Sequence, residues 1–176
     1  MRRGADREDG VEAYILAAAL PVLLALPLTV PIALVDLRRR IIPNALNGAL
    51  FALGIAVVAA QNLARSDPAG AAGSVGLALA EAALSYGLFA GLRAGYGHLR
   101  GRTGFGLGDV KLVAAAIPWI GLAQLPLMIL IASTSALLAV VILRLSGRRI
   151  GADTRLPFGP FLVLGLHGAQ LLRPDL

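Results

Sequence analysis

Cysteine is absent from the 176 residues, which excludes disulfides, a thiol nucleophile and a cysteine-built zinc site. Histidine is scarce as well. His98 and His167 are too few to form a metal centre alone, and neither stands in an HExxH arrangement, so no metal and no cofactor are expected. No GxSxG turn is present to raise a serine nucleophile, and no GxxxxGK[ST] loop to cradle a phosphate. Aromatic residues make up only 5% of the chain, which matters because its net charge is +6. A basic protein that grips nucleic acid interleaves its cations with rings for base stacking. Here the basic residues fall between apolar runs, so anionic lipid headgroups are the expected counter-charge and nucleic acid is not an expected partner.

What is abundant is apolar side chain. Hydrophobic residues reach 57% and charged ones only 15%, and the mean hydropathy is +0.78, outside the range of soluble domains. The expected fold is all-α, a polytopic membrane protein with six transmembrane helices over about 13–36, 45–62, 71–93, 109–124, 126–145 and 157–173, forming one domain from 13 to 176. Residues 1–12 read as a flexible polar tail. The first apolar run is longer than a signal-peptide core and has no evident cleavage site, so it counts as a span. Pro21, Pro27 and Pro31 are expected to bend it. In the third run Gly87, Gly91 and Gly95 recur every four residues, a ridge suited to close helix approach. Glu81 in the same run is expected to bond a neighbouring helix. Gly95 to Gly108 reads as a glycine-rich linker, and Pro118 interrupts the fourth run. Pro157, Gly159 and Pro160 predict an irregular start to the last.

Orientation follows from lysine and arginine, which collect in cytoplasmic loops. The loops after the first, third and fifth spans, counted with their flanking residues, hold eleven of them against five on the other side. Both termini are therefore expected on the non-cytoplasmic side. The same assignment, made without using them, sends Asp36 and Asp109 to the cytoplasmic face.

These two aspartates are the candidate chemistry. Asp36 ends an apolar run and is followed by Leu37-Arg38-Arg39-Arg40-Ile41-Ile42-Pro43-Asn44. Asp109 opens another after Gly106-Leu107-Gly108. An ionisable group in or at the edge of a bilayer is a functional candidate. Peptide hydrolysis without metal or nucleophilic side chain needs one carboxylate to activate water and a second, protonated, to donate to the carbonyl oxygen. Two aspartates sharing a site separate their titrations so that the pair carries about one proton. The helix dipole favours the acid form of Asp36 and the carboxylate form of Asp109, whereas Arg38, Arg39 and Arg40 favour a charged Asp36. Gly106 and Gly108 let backbone approach an extended substrate closely. Lys111 lies off the Asp109 face and is expected to snorkel to the headgroups.

At these residues the chain resembles the prepilin peptidases, bacterial polytopic aspartic proteases of the GxGD type. Three stretches carry the resemblance: Asp36 to Asn44, Gly106-Leu107-Gly108-Asp109-Val110-Lys111-Leu112, and Pro157-Phe158-Gly159-Pro160-Phe161-Leu162. The resemblance implies an enzyme of the bacterial cytoplasmic membrane that cuts the short basic leader from type IV prepilins or pseudopilins at the cytoplasmic face. Asp36 and Asp109 would be its catalytic pair, with Pro43, Asn44, Gly106, Gly108, Lys111, Pro157, Phe158, Gly159 and Pro160 as substrate-binding or structural support. Larger members carry a cysteine-containing N-terminal region associated with N-methylation. Lacking it, the chain is similar to the minimal Flp/Tad type, with no methyltransferase activity expected. The competing expectations are a non-catalytic component of a pilus or secretion assembly, and a small proton-coupled transporter using Asp36, Glu81 or Asp109.

Overall fold

The computed structural model describes residues 2–64, 68–100, 106–147 and 157–172. Among them are six α-helices and no strand: α1 (Arg2–Arg39), α2 (Asn44–Ala64), α3 (Pro68–Arg100), α4 (Leu107–Ile120), α5 (Leu125–Leu145) and α6 (Gly159–Leu171), with a single 3-10 turn at Leu122–Gln124. The all-α expectation holds. Four stretches, Ala19–Arg39, Asn44–Ala64, Pro68–Arg100 and Leu122–Leu145, are long and apolar enough to cross a membrane. The other two helices differ in kind. With 14 and 13 residues, α4 and α6 rise only about 20 Å at 1.5 Å per residue, short of a hydrocarbon core of roughly 30 Å.

Their place in the bundle explains how short helices are held. α4 packs on α2, α3 and α6, and α6 packs on α1, α5 and α4, so these two form the centre and the long helices surround them. Every residue from Ala115 to Ile120 is buried, as are Leu162, Val163, Gly165, Leu166, Ala169 and Gln170 on α6. By contrast α3 and α5 present Leu77, Leu84, Leu137 and Leu138 outward, the pattern of helices whose solvent is lipid. Backbone polar groups in such a medium must be satisfied internally, and Trp119 does the same with its indole, donating to the Leu50 carbonyl at 3.0 Å across the α2–α4 contact. α5 and α6 approach closely. A Cβ on Gly165 would collide with the Met128 carbonyl oxygen, so only hydrogen fits there.

Three sequence expectations change. Residues 2–12 belong to α1, which stays helical through all three of its prolines. The glycine-rich segment from Gly95 does not begin a linker. α3 runs on to Arg100, because in a helix with no competing turn chemistry an isolated glycine lowers stability without ending the element, and residues 101–105 lie outside the described part. Nor does the ridge of Gly87, Gly91 and Gly95 bring helices of this chain together, for a Cβ at any of the three would meet nothing within 4 Å.

Candidate active site

α1 ends on a left-handed residue. Arg40 has φ of 54° and its N–H bonds the Asp36 carbonyl at 2.8 Å, which stops the helix and turns the chain through Ile41, Ile42 and Pro43 into α2. The Asp36 side chain is thereby left on the inner face of the last turn, 4% exposed. Its Oδ2 accepts the N–H of Gly159, the first residue of α6, at 2.9 Å. That N–H has no partner inside its own helix, so the α6 terminus is free to serve a carboxyl 123 residues away in sequence. Any Cβ on Gly159 would sit 2.7 Å from that same oxygen.

Asp109 stands in the first turn of α4 and its Oδ2 reaches back to the N–H of Gly106 at 3.2 Å, one half of a capping box. Here too the glycine is needed, since a Cβ on Gly106 would come within 2.7 Å of the carboxylate. The next glycine, Gly108, packs against Ile42 of the α1–α2 turn, where a Cβ would meet Ile42 at 3.1 Å. Its carbonyl accepts from Asn47 of α2 at 3.4 Å. So the turn that follows Asp36 and the turn that precedes Asp109 touch each other. Burial first, and then the charge of Asp36, push the Asp109 carboxyl from its ordinary 3.8 up to about 6, against the pull of the Gly106 N–H.

The remaining expected site residues divide. Gly159 touches Asp36, Pro160 fills the first turn of α6, and Phe158, half-buried, packs its ring 6.3 Å from that of Phe161. Pro43 offers its carbonyl to the Asn47 N–H at 3.2 Å and so begins α2, while Pro157 is half-buried ahead of α6. Lys111 donates from its Nζ to Asn44 Oδ1 at 2.8 Å in an exposed position, tying α4 to α2. Glu81 does bond across helices, accepting the Leu122 N–H at 3.1 Å just past the far end of α4. That places it about 20 Å along the helix axis from Asp109 and outside the site. Sequence reasoning missed Asn47, whose only signal is a polar residue three places beyond Asn44 in an apolar helix. It also missed the chain of hydrogen bonds from Thr29 to His167 (2.9 Å) to Gln170 (2.8 Å), which joins α1 to α6 two turns below Asp36.

Beside the two turns lies a cavity of about 430 Å³ between α2, α3 and α4, with Asn44, Asn47, Phe51, Tyr86 and Lys111 in its wall. No group of three or more potential metal ligands occurs among the described residues.

Helices long and apolar enough to cross a membrane, enclosing a buried carboxyl and a second whose ionisation feels it, define a helical membrane bundle with a paired-carboxyl site. The type IV leader peptidase family matches residues 13–142, and the chain belongs to that family. It is similar to the prepilin leader peptidase/N-methyltransferase of Legionella pneumophila, 32% identical over 143 residues, which cover 81% of this chain and 46% of that protein. It is also similar to leader peptidase HopD of Escherichia coli, 41% identical over 85 residues, covering 48% and 55%. Against the prepilin leader peptidase/N-methyltransferase of Escherichia coli K12 the identity is 31% over 134 residues, covering 76% and 55%. The chain spans about half the length of these curated relatives. No solved structure gives a significant match.

Proposed function

We propose that this protein is an aspartic endopeptidase that removes the leader of type IV prepilins or pseudopilins at the cytoplasmic face of the bacterial inner membrane, with Asp36 and Asp109 as its catalytic pair. The observation that carries this reading is the convergence of two helix ends on one site: each carboxyl is held by a glycine N–H, and Asp109 titrates under the charge of Asp36. Family membership supports the substrate class.

The chemistry follows from that pairing. Because the charge of Asp36 is part of what raises Asp109, Asp36 is the carboxylate of the pair and Asp109 holds the shared proton, so Asp36 takes a proton from a water held between the two side chains. The water oxygen bonds to the scissile carbonyl carbon as Asp109, protonated, gives its proton to the carbonyl oxygen. A gem-diol results. Asp36 then passes its proton to the departing amide nitrogen, the C–N bond breaks, and Asp109 regains a proton from the gem-diol hydroxyl. The enzyme ends in its starting protonation state, with a new carboxyl and a new amine as products. Glycines at 106 and 159 support this arrangement because a side chain there would occupy the carboxyl's own place.

Co-expression with a candidate prepilin, followed as a mobility shift, tests the proposal. Asp36→Asn and Asp109→Asn are each expected to abolish processing, and cleavage surviving in either would remove that residue from the pair. Glu81→Gln should leave processing intact, because Glu81 is bonded at the opposite end of α4. A proton-coupled transporter would lose coupling at Glu81 instead. Methylation is not part of the proposal: mass spectrometry of the mature product is expected to show a free amine when a methyl donor is supplied.

A further inference from the structure

Two hydrogen bonds tie α6 to α1. At the site the Gly159 N–H donates to Asp36 Oδ2 at 2.9 Å, and deeper in the bundle the His167 imidazole is bonded through Nε2 to Thr29 Oγ1, also at 2.9 Å. The ties are seven residues apart on α1, a rise of about 10 Å, and eight apart on α6, about 12 Å, so the helices run antiparallel and in step. Thr29 is fully buried and shares a face of α1 with Asp36, because seven residues make almost two turns. On the other side of the ring, Nδ1 donates to Oε1 of the buried Gln170 at 2.8 Å. The imidazole is held at both nitrogens.

Leu162, Val163, Leu166 and Ala169 bury the apolar part of α6. Apolar burial is non-directional, whereas a hydrogen bond weakens steeply once its distance and angle depart from the ideal. A small slide of α6 along α1 would keep most of the first and lose the aim of the Gly159 N–H. We propose that His167 is a positioning residue of the peptidase: its bond to Thr29 fixes where α6 lies along α1, and so keeps the Gly159 N–H aimed at the Asp36 carboxyl. This role rests on the peptidase reading and adds to it a residue that acts through Gly159 rather than on the reacting atoms. An N–H given to a carboxylate favours its charged form, the form in which Asp36 takes the proton of water. Lost aim therefore shows in the acid limb of the pH profile as well as in the rate. The charged groups near Asp36, which are Asp109 and the exposed Arg38, Arg39 and Arg40, are the same in every variant used below.

The test follows cleavage of a prepilin by the purified full chain in nanodiscs, with kcat, KM and the pH profile measured for each variant. Thr29→Val deletes the hydroxyl and keeps the branched shape, and His167→Phe keeps a ring without its nitrogens. Each is expected to lower kcat on the order of tenfold to a hundredfold with KM little altered. The acid limb of kcat/KM should move to higher pH by about one unit, the size of one hydrogen bond to a charged group. Thr29→Ser, which retains the hydroxyl, should restore both. On a Gly159→Ala background, where the contact with Asp36 is already displaced, Thr29→Val should cost little more. A lowered unfolding temperature with the acid limb unmoved would make the bond merely structural and overturn the proposal, as would additive losses with Gly159→Ala. If His167→Phe fails to fold, Thr29→Val set against Thr29→Ser still decides. Absence of any cleavage by the unaltered enzyme would instead sink the peptidase reading, and the positioning role with it.

Discussion

Two carboxyls are held in the same way, each by one backbone N–H, and each beside a glycine that cannot be anything larger. Gly159→Ala places a methyl group 2.7 Å from Asp36 Oδ2, so the carboxyl must rotate or α6 must retreat. A displacement of about 1 Å at a reacting group costs on the order of a hundredfold in rate. The expected outcome is a kcat reduced about that much in detergent-solubilised enzyme whose thermal unfolding is close to that of the unaltered protein; an unchanged kcat would show that the Gly159 contact is irrelevant to turnover. Asp109, at about 6, gives a pH dependence with a definite sign. As the acid it must be protonated, so kcat/KM should fall as pH rises through about 6, and a flat profile from pH 5 to 8 would remove Asp109 from that role. Stability runs the same way. A carboxyl raised above its unfolded value penalises the folded state when ionised, so the penalty is full above about pH 6 and vanishes below about 4. Asp109→Asn, whose side-chain carbonyl can still accept from Gly106, should therefore unfold at a higher temperature than the unaltered protein at pH 7.5, with the gap closing toward pH 4.

Among the elements, the turn between α1 and α2 carries the strain. Arg40 is the one described non-glycine residue at positive φ, and for an L-residue that conformation costs about 1–2 kcal/mol. Arg40→Gly should be neutral or stabilising in thermal unfolding, and Arg40→Ile destabilising, because a β-branched side chain tolerates the left-handed region worst. Equal melting temperatures for the two variants would mean that the turn relaxes to another conformation. The boundaries of α2 and α5 were legible to within a residue or two, because apolar runs there are cut by proline, by basic residues or by a polar cluster. The end of α3 was not, since glycine breaks a helix only where an alternative turn competes for it, and Gly95 has none. Nor does the sequence mark α4 and α6 as the two helices at the centre of the bundle. A helix apolar on all faces reads alike whether its neighbours are lipid or protein, and only packing separates them. In the site, Asp36 and Asp109 were legible because each ends an apolar run in a recognisable local pattern. Asn47 and the Thr29–His167–Gln170 chain were not, because their meaning lies in contacts between helices far apart in sequence.

At the scale of the whole molecule, the site depends on α6 being held from two sides. α1 supplies Asp36 and Thr29 to it, and α5 supports it from behind through the Gly165 contact with Met128 and Ala132 and the Gly168 contact with Ile131. Gly159, which bonds Asp36, is on the same short helix, so any thickening of the α5–α6 contact pushes the Asp36 partner as well as the core. Gly165→Val would drive two methyl groups toward the Met128 carbonyl, and overpacking of this kind costs about 1–3 kcal/mol. Gly73→Val, at a position where a Cβ meets nothing within 4 Å, changes the same residue type without that collision. The expected result is a lowered unfolding temperature and reduced cleavage for Gly165→Val, with Gly73→Val close to the unaltered protein in both. If both variants behaved alike, α6 would be free to shift against α5, and the rigid seating of Gly159 on Asp36 could not be what keeps the two carboxyls in register.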